Sequence, residues 1–377
     1  MHDLLTLDTP CLLLDRDILH KNIDTMAERC RDMDIALRPH VKTPKSLPVA
    51  AAFAASGAQG FCVSTLKEAE TFFAAGYTDL FYTVPIDAAK IPRAAAMLRA
   101  GHDLSLLVSS PAGLPAIAER GATEKVVLPM WVEIDVDGYR TGIPSDSEDL
   151  AAAIRLIQDH PHLSLRGIMS YGGDSYTRRT RDAVAALTET HRLALLKAAD
   201  KVQAMGYARP KLSFGSTPAT RHAETLEGID EVRCGIYAFQ DLFQAGIGAC
   251  GQDEIALSVL TTVISHSPHL NRFTIDAGGL ALSKDRSTQG NDFDAGFGLV
   301  CDMATGDAIA GLYVGTVSQE IGIVSHIDGK PIDLARFPVG SRLRILPNHA
   351  DMTAAAYEQY HVLTPGGIEI WTRANGW

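Results

Sequence analysis

The first candidate for chemistry is a lysine, Lys42, in the segment Arg-Pro-His-Val-Lys-Thr at 38–43, which follows an apolar run. A lysine at the end of a buried strand loses part of its hydration. Its amine pKa then falls, and the amine becomes a nucleophile for carbonyl groups. A solvated loop lysine would lack this reactivity, so the residue taken alone leaves both interpretations open.

Small and hydroxylated residues at two later positions could bind a phosphate group. Gly-Ser-Thr at 215–217 precedes a predicted helix, and Gly235 lies in a further β-like run. Small residues let backbone N–H groups approach a phosphate, and the hydroxyls of Ser216 and Thr217 add donors. An ordinary turn or helix cap explains 215–217 equally well. A carbonyl-reactive lysine combined with a phosphate site predicts pyridoxal phosphate as the cofactor.

A histidine and an aspartate two residues apart, His349 and Asp351, could bind a metal ion. In an extended segment such residues face the same side, so one divalent cation could be coordinated by both, with water completing the shell. The carboxylate favours a hard ion, Mn²⁺ or Mg²⁺, with Zn²⁺ as a less favoured option. Because this spacing is common by chance, a structural role is the alternative.

Short β-like runs alternate with Ala-rich amphipathic stretches over the first two thirds of the chain. Eight runs are predicted as strands: 35–40, 60–64, 80–84, 104–108, 126–135, 165–171, 211–215 and 232–239. This alternation is typical of a (β/α)8 TIM barrel, here over residues 16–245, with a doubly wound parallel sheet as the alternative α/β fold. In such barrels functional residues follow the C-terminal ends of the strands, where Lys42 and 215–217 stand.

The pattern changes after about residue 245, where strand-like runs are joined by Gly, Pro and Asp turns with little helical signal. These runs lie at 255–267, 272–276, 312–317, 321–326, 342–346, 360–363 and 368–372. They predict a β-rich second domain, formed by residues 246–377 together with 1–15.

Composition narrows the class of protein. The chain has 377 residues and a formal charge of −11, with no basic run, which argues against nucleic acid as a partner. No apolar run is long enough to cross a membrane, and no basic leader precedes Asp17. The six cysteines form no C-x-x-C pair, and free thiols indicate a reducing compartment. A cytoplasmic protein without a membrane partner is therefore expected.

Together these residues resemble the fold-type III pyridoxal-phosphate enzymes, and more closely their D-threonine aldolase and D-serine dehydratase group. The resemblance runs from Thr9 to the C-terminus. Its most specific motif is R-P-H-x-K-T at 38–43, followed by P-N-H-x-D at 347–351. The resemblance implies an alanine-racemase-like barrel with a β-rich domain, assembled as a homodimer.

The resemblance also implies roles for individual residues. Lys42 would form the internal aldimine, and the metal at His349 and Asp351 would lie close to the substrate's β-hydroxyl. Asp174 lies in the loop where the aldolases carry a histidine, and it could replace that histidine as the catalytic base. The further residues expected to bind the cofactor are Arg140, Tyr171, Ser216, Thr217, Gly235, Ile236 and Tyr237.

Two reactions fit this resemblance. The aldolases carry His-x-Asp at the metal, so Asp351 predicts retro-aldol cleavage of a D-3-hydroxy amino acid of the D-threonine type to glycine and an aldehyde. The loop Gly-Asp-Ser-Tyr at 173–176 looks more like that of the dehydratases. It favours the alternative, a D-serine or D-3-hydroxyaspartate dehydratase that releases a 2-oxo acid and ammonia. The metal pair counts against a racemase, and the second domain counts against a cofactor-carrier protein.

Overall fold

The computed structural model describes residues 4–377, which belong to two units. The barrel unit comprises Thr25–Gly235 with Ala374–Trp377. The β unit comprises the chain up to Asp24 with Ile236–Arg373. The chain therefore passes from one unit to the other near residues 24 and 235. The sequence analysis placed these two boundaries near residues 15 and 245.

The strands in chain order are β1 (Cys11–Asp15), β2 (Ala36–Leu37), β3 (Phe61–Val63), β4 (Asp79–Pro85), β5 (Asp103–Val108), β6 (Leu128–Asp135), β7 (Ile143–Pro144), β8 (Leu163–Met169), β9 (Lys211–Phe214), β10 (Glu231–Val232), β11 (Leu257–Ser267), β12 (Arg272–Ile275), β13 (Leu299–Asp302), β14 (Ala308–Val317), β15 (Gly322–His326), β16 (Arg342–Leu346), β17 (Gln359–Thr364) and β18 (Gly367–Thr372). The α-helices are α1 (Arg16–Asp32), α2 (Leu47–Ala55), α3 (Leu66–Ala74), α4 (Ile91–Arg99), α5 (Leu114–Glu124), α6 (Glu148–Asp159), α7 (Arg181–Ala204), α8 (Thr217–His222), α9 (Leu242–Gly246), α10 (Gly279–Leu282) and α11 (Ala350–Ala354).

Eight strands of the barrel unit form one parallel sheet in the order β2-β10-β9-β8-β6-β5-β4-β3. A parallel bridge between His40 and Cys62 joins the two ends of this order, so the sheet closes on itself. The predicted (β/α)8 barrel is confirmed, and the doubly wound alternative is excluded. The predicted last strand, 232–239, is wrong beyond its first residue, because β10 ends at Val232 and the chain then enters a 3-10 turn at Ile236–Ala238.

Side chains cap the starts of several helices in the barrel unit. Thr65 caps α3, since its side chain accepts the N–H of Glu68 at 3.0 Å. Ser147 caps α6 and Thr180 caps α7 in the same way. One buried apolar cluster takes a side chain from each of five strands: Cys62, Phe81, Leu107, Trp131 and Met169. This cluster is a packed core that holds the strand ends in place.

The β unit is built on a nine-stranded sheet in the order β12-β15-β14-β13-β16-β11-β1-β17-β18. Its pairs are antiparallel except β1 with β17. The expected β-rich part of the fold is confirmed, including the contribution of β1. The sequence analysis missed β13, whose four residues follow a turn-rich stretch without alternation. No helix within residues 4–377 has the length and apolar character needed to cross a membrane.

Candidate active site

Lys42 lies in the turn after β2, and its side chain is exposed. The backbone N–H of Lys42 donates to Nδ1 of His40 at 3.2 Å, while Nε2 of His40 lies 2.9 Å from Oγ1 of Thr83. Of the two interpretations left open for Lys42, the structure supports the exposed one, because the residue stands beyond the strand rather than within it. An exposed amine held on an anchored turn is accessible to a carbonyl compound.

Arg140 and Tyr171 follow β6 and β8, at the C-terminal end of the barrel strands. The guanidinium carbon of Arg140 is 4.4 Å from the centroid of the Tyr171 ring, a cation–π contact. Nη2 of Arg140 is 3.5 Å from Oε1 of the buried Glu133. Burial raises the pKa of Glu133, and hydrogen bonding from Thr141 together with the charge of Arg140 opposes this rise. The structure thus brings two predicted cofactor residues into contact.

Asp174, the predicted base, lies in the 3-10 turn Gly173–Thr177 beside a histidine that the sequence analysis did not single out. Nε2 of His191, on α7, is 3.2 Å from Oδ1 of Asp174, and His191 is only 1% exposed. Burial raises the pKa of Asp174 and lowers the pKa of His191. Gly172 has a φ of +68°, and a Cβ there would lie 2.7 Å from Nδ1 of His191. The loop that lacks a histidine in sequence therefore gains one from α7.

The hydroxyls of Ser216 and Thr217, at the start of α8, have different surroundings. Oγ of Ser216 accepts the N–H of Ala219 at 3.3 Å. It also lies 2.9 Å from Oγ of Ser175, whose own hydrogen is donated to the oxygen of Gly172. Thr217 is buried, and its Oγ1 has no hydrogen-bond partner among residues 4–377. An orphaned buried hydroxyl fits a phosphate oxygen, so the chain can accommodate the cofactor here through Thr217 more readily than through the Ser216 hydroxyl.

Gly235 lies where the backbones after β2 and β10 approach each other. A Cβ on Gly235 would lie 2.6 Å from the carbonyl oxygen of His40. Ile236 and Tyr237, which follow it, are buried in the turn Ile236–Ala238. Arg233 is buried as well, and its Nε donates to Oγ of Ser213 at 2.7 Å. Because of this close approach to His40, Gly235 packs directly against the segment that carries Lys42.

Replacing Gly235 with alanine is expected to weaken binding of pyridoxal phosphate about tenfold or more, because overpacking of this kind costs about 1–3 kcal/mol. The added Cβ would displace the His40 carbonyl and the turn that carries Lys42. A cofactor titration followed by absorbance measures the effect. Gly113→Ala is the matched control, since Gly113 is exposed and a Cβ there meets nothing closer than 3.9 Å. Wild-type affinity in Gly235→Ala would contradict a phosphate site at this turn.

His349 and Asp351 lie in the β unit at the start of α11. His349 is the N-cap residue, with extended φ −137° and ψ 114°, whereas Asp351 is already in the first turn of the helix. The condition of one extended segment, under which both side chains would face the same side, is therefore not met. The chain turns at this point because Oδ2 of Asp241 accepts the N–H of Ala350 at 2.9 Å.

Carboxylates surround His349. Its Nδ1 lies 2.8 Å from Oδ2 of Asp241, which is fully buried. Burial lowers the pKa of His349, but Asp241, and more weakly Asp351 and Asp285, raise it to about 9. This anionic setting and the imidazole–carboxylate donor pair fit a divalent cation. Within residues 4–377 no three His, Cys, Asp or Glu side chains form a metal-binding group. Water or substrate oxygens would therefore complete the coordination.

The predicted site residues did not include His191, Arg233 or Asp241, which the structure places in these clusters. His191 carries a recognisable signal, because it shares the buried face of α7 with Thr188 and Leu195. Asp241 is the N-cap of α9, and its position in the sequence indicates this role. The capping role gives no indication of the contact between Asp241 and His349. Arg233 has no local signal beyond its place at the end of a strand.

Comparisons with known proteins show relatives over almost the whole chain. The family model described as "Alanine racemase, N-terminal domain" matches residues 14–242, and the model described as "Putative serine dehydratase domain" matches residues 256–363. The D-threo-3-hydroxyaspartate dehydratase of Delftia sp. (strain HT23) is 44% identical over 377 residues, 99% of each chain. The 3-hydroxy-D-aspartate aldolase of Paracoccus denitrificans (strain Pd 1222) is 30% identical, over 97% of this chain and 91% of that protein.

A solved structure extends the comparison. It is a cysteine-to-alanine variant of D-threo-3-hydroxyaspartate dehydratase in the metal-free form. It is 43% identical with a TM-score of 0.96, over 99% of both chains. The chain therefore belongs to the alanine-racemase-like, fold-type III family of pyridoxal-phosphate enzymes that includes D-3-hydroxyaspartate dehydratases and aldolases.

Proposed function

We propose that the chain is a pyridoxal-phosphate- and metal-dependent dehydratase of D-3-hydroxy amino acids, with D-threo-3-hydroxyaspartate as its substrate class. The observation that carries this proposal is the 44% identity, over 99% of both chains, with a dehydratase of that substrate. Net loss of ammonia converts 3-hydroxyaspartate to oxaloacetate. On the basis of Asp351, the sequence analysis predicts an aldolase of the D-threonine type. Because these comparisons favour the alternative, a dehydratase, the aldolase becomes the second candidate.

Lys42 has two tasks at one atom, Nζ. Its exposed amine would hold the cofactor by its carbonyl carbon, and the same amine would take the proton from the Cα of a bound substrate. Bound pyridoxal phosphate supplies the electron sink that makes this proton acidic. The hydrogen bond between Lys42 and His40 holds the turn in place for both tasks.

Further residues of the barrel unit would bind the cofactor, and others would accept a proton. Thr217 would donate its orphaned hydroxyl to the phosphate. Arg140 and Tyr171, already in contact with each other, would border the ring. Asp174 faces the imidazole of His191 at 3.2 Å, so the pair can accept a proton at Oδ1 and return it.

His349 and Asp351 would hold the metal. A divalent cation draws electrons from a hydroxyl oxygen and so makes the β-hydroxyl a better leaving group. The metal-free form of the related dehydratase supports metal dependence in this family. An imidazole and a carboxylate completed by water favour Mn²⁺ or Mg²⁺, with Zn²⁺ as the alternative.

The second candidate is cleavage of the Cα–Cβ bond of the same substrate class, giving glycine and glyoxylate from 3-hydroxyaspartate. Asp351 favours it on the sequence resemblance. The 30% identical aldolase from Paracoccus denitrificans also supports it. Both reactions would use Lys42 and the metal pair, so only the products distinguish them.

Incubating the protein with D-threo-3-hydroxyaspartate, pyridoxal phosphate and Mn²⁺ is expected to release oxaloacetate and ammonia in equal amounts. Mass spectrometry of the products and an ammonia assay measure the result, with D-threonine and D-serine as comparison substrates. Glycine with glyoxylate would contradict the dehydratase proposal and establish the aldolase. Unchanged substrate in the presence of bound cofactor would contradict both reactions.

A further inference from the structure

Asp241 is a fully buried carboxylate that connects α9 to the segment carrying the metal pair. Its Oδ1 accepts the N–H of Gln244 at 2.8 Å and so caps α9. Its Oδ2 accepts the N–H of Ala350 at 2.9 Å and lies 2.8 Å from Nδ1 of His349. Both carboxylate oxygens therefore have partners within the β unit.

Neighbouring hydrogen bonds strengthen this connection. The N–H of Leu242 donates to the oxygen of Pro347, and the N–H of Phe243 donates to the oxygen of Asn348, both at 3.1 Å. The buried side chain of Asn348 donates in turn to Oγ1 of Thr288 at 2.8 Å. The backbone of the P-N-H-x-D segment is thus anchored on both sides of His349, and Asp241 sets the direction of the imidazole ring.

Hydrogen-bond chemistry decides which ring nitrogen of His349 is left for a cation. A carboxylate oxygen only accepts, so Nδ1 carries a hydrogen and donates it to Asp241. In the neutral imidazole the lone pair then lies on Nε2. A carboxylate that receives the second N–H of a metal-binding histidine fixes both its tautomer and its ring orientation.

We infer that Asp241 is a positioning residue for the metal site: it holds His349 in its Nδ1–H form and directs Nε2 to the cation. This inference rests on the proposed metal-dependent function and deepens it. Asp241 acts only through His349, since its two oxygens are occupied by protein N–H groups. The competing explanation is that Asp241 serves only as the cap of α9.

Two substitutions separate these roles. Asp241→Ser keeps a good N-cap acceptor for α9 but is too short to reach Nδ1 of His349. Asp241→Asn keeps the size of the side chain, but it has only one acceptor oxygen. The carboxylate of Asp241 uses one oxygen for the cap of α9 and the other for His349. Both variants are expected to bind Mn²⁺ about 10–100-fold more weakly, measured by calorimetry on cofactor-loaded protein. Asp333→Asn is the matched control, because Asp333 is an exposed N-cap residue whose carboxylate accepts the N–H of Ala335.

The outcomes separate this inference from the proposed function. Unchanged Mn²⁺ affinity in both Asp241 variants would overturn the positioning role while leaving metal dependence intact. A wild-type protein that binds no Mn²⁺, Mg²⁺ or Zn²⁺ would overturn metal dependence itself. Circular dichroism and cofactor absorbance report whether the variants fold. If the variants do not fold, ¹⁵N-histidine NMR of the zinc-loaded wild-type protein tests the inference instead. We expect Nδ1 of His349 protonated and Nε2 bound to metal, and the reverse assignment overturns the inference.

Discussion

Replacing Lys42 with alanine is expected to lower turnover of D-threo-3-hydroxyaspartate by about 10⁴-fold or more, since loss of a covalent nucleophile has effects of this size. The same change would abolish covalent retention of pyridoxal phosphate. The barrel is expected to remain folded, because the Lys42 side chain is exposed and its link to His40 is made by the backbone N–H. Turnover is measured by oxaloacetate release, and cofactor retention by absorbance after borohydride reduction and denaturation.

Two further variants make this test specific. Lys42→Arg keeps the positive charge but offers no primary amine, so we expect it to be as inactive as Lys42→Ala. Lys67→Ala removes an exposed lysine of α3 and is expected to retain wild-type turnover. Full activity in Lys42→Ala, or covalent cofactor in that variant, would show that another amine carries the cofactor.

Glu231→Gln is expected to lower the free energy of unfolding by about 3–5 kcal/mol, the cost of breaking a buried ion pair from one side. Glu231 is 1% exposed and lies 3.1 Å from Nε of Arg38 and 2.7 Å from Nζ of Lys211. Arg38 also donates twice to Asp79, at 2.8 Å. These ion pairs therefore link β4, β9 and β10 to the segment that follows β2. Lys211, Glu231 and Asp79 are the first residues of their strands, at the barrel end where interactions serve stability.

The pH dependence of this effect follows from the pKa of Glu231. Burial raises that pKa, but Arg38 and Lys211 outweigh burial and lower it below its ordinary value of 4.5. A carboxylate with a lowered folded pKa contributes its full stability above the ordinary value and loses it as the pH falls through the folded value. The difference between wild type and Glu231→Gln is thus expected to be largest near neutral pH and to shrink in acid.

Urea unfolding at several pH values measures this difference. Asp103→Asn serves as the control, because it breaks a half-exposed ion pair with Arg166 on the same barrel and is expected to cost at most about 1 kcal/mol. A loss in Glu231→Gln no larger than that of the control would contradict a stabilising role for the buried network.

Local features of the sequence were sufficient for the fold and for the first members of the site. The alternation of strands and helices follows from hydrophobic periodicity, which neighbouring residues determine among themselves. The start of α3 at Thr65 was predictable for the same reason, since a cap involves residues three positions apart. Lys42 and His349 could be singled out because their motifs are short and contiguous.

The partners of these residues depend on how distant segments meet. His349 and Asp241 are 108 positions apart, and no periodicity relates them. Ser216 and Thr217 are adjacent and chemically alike, yet contact with Ser175 occupies one hydroxyl and burial leaves the other without a partner among residues 4–377.

The contact between Asp174 and His191 could not be predicted from the sequence either. His191 contacts Asp174 because α7 packs its buried face against the loop after β8, a contact that the sequence of either element does not specify. The sequence by itself thus determined the barrel, the β-rich second part and the choice of Lys42 as the candidate amine, because these arise from local patterns. Only the tertiary structure decided which groups orient, protonate or leave open the reactive atoms, because burial and long-range hydrogen bonds exist only after folding.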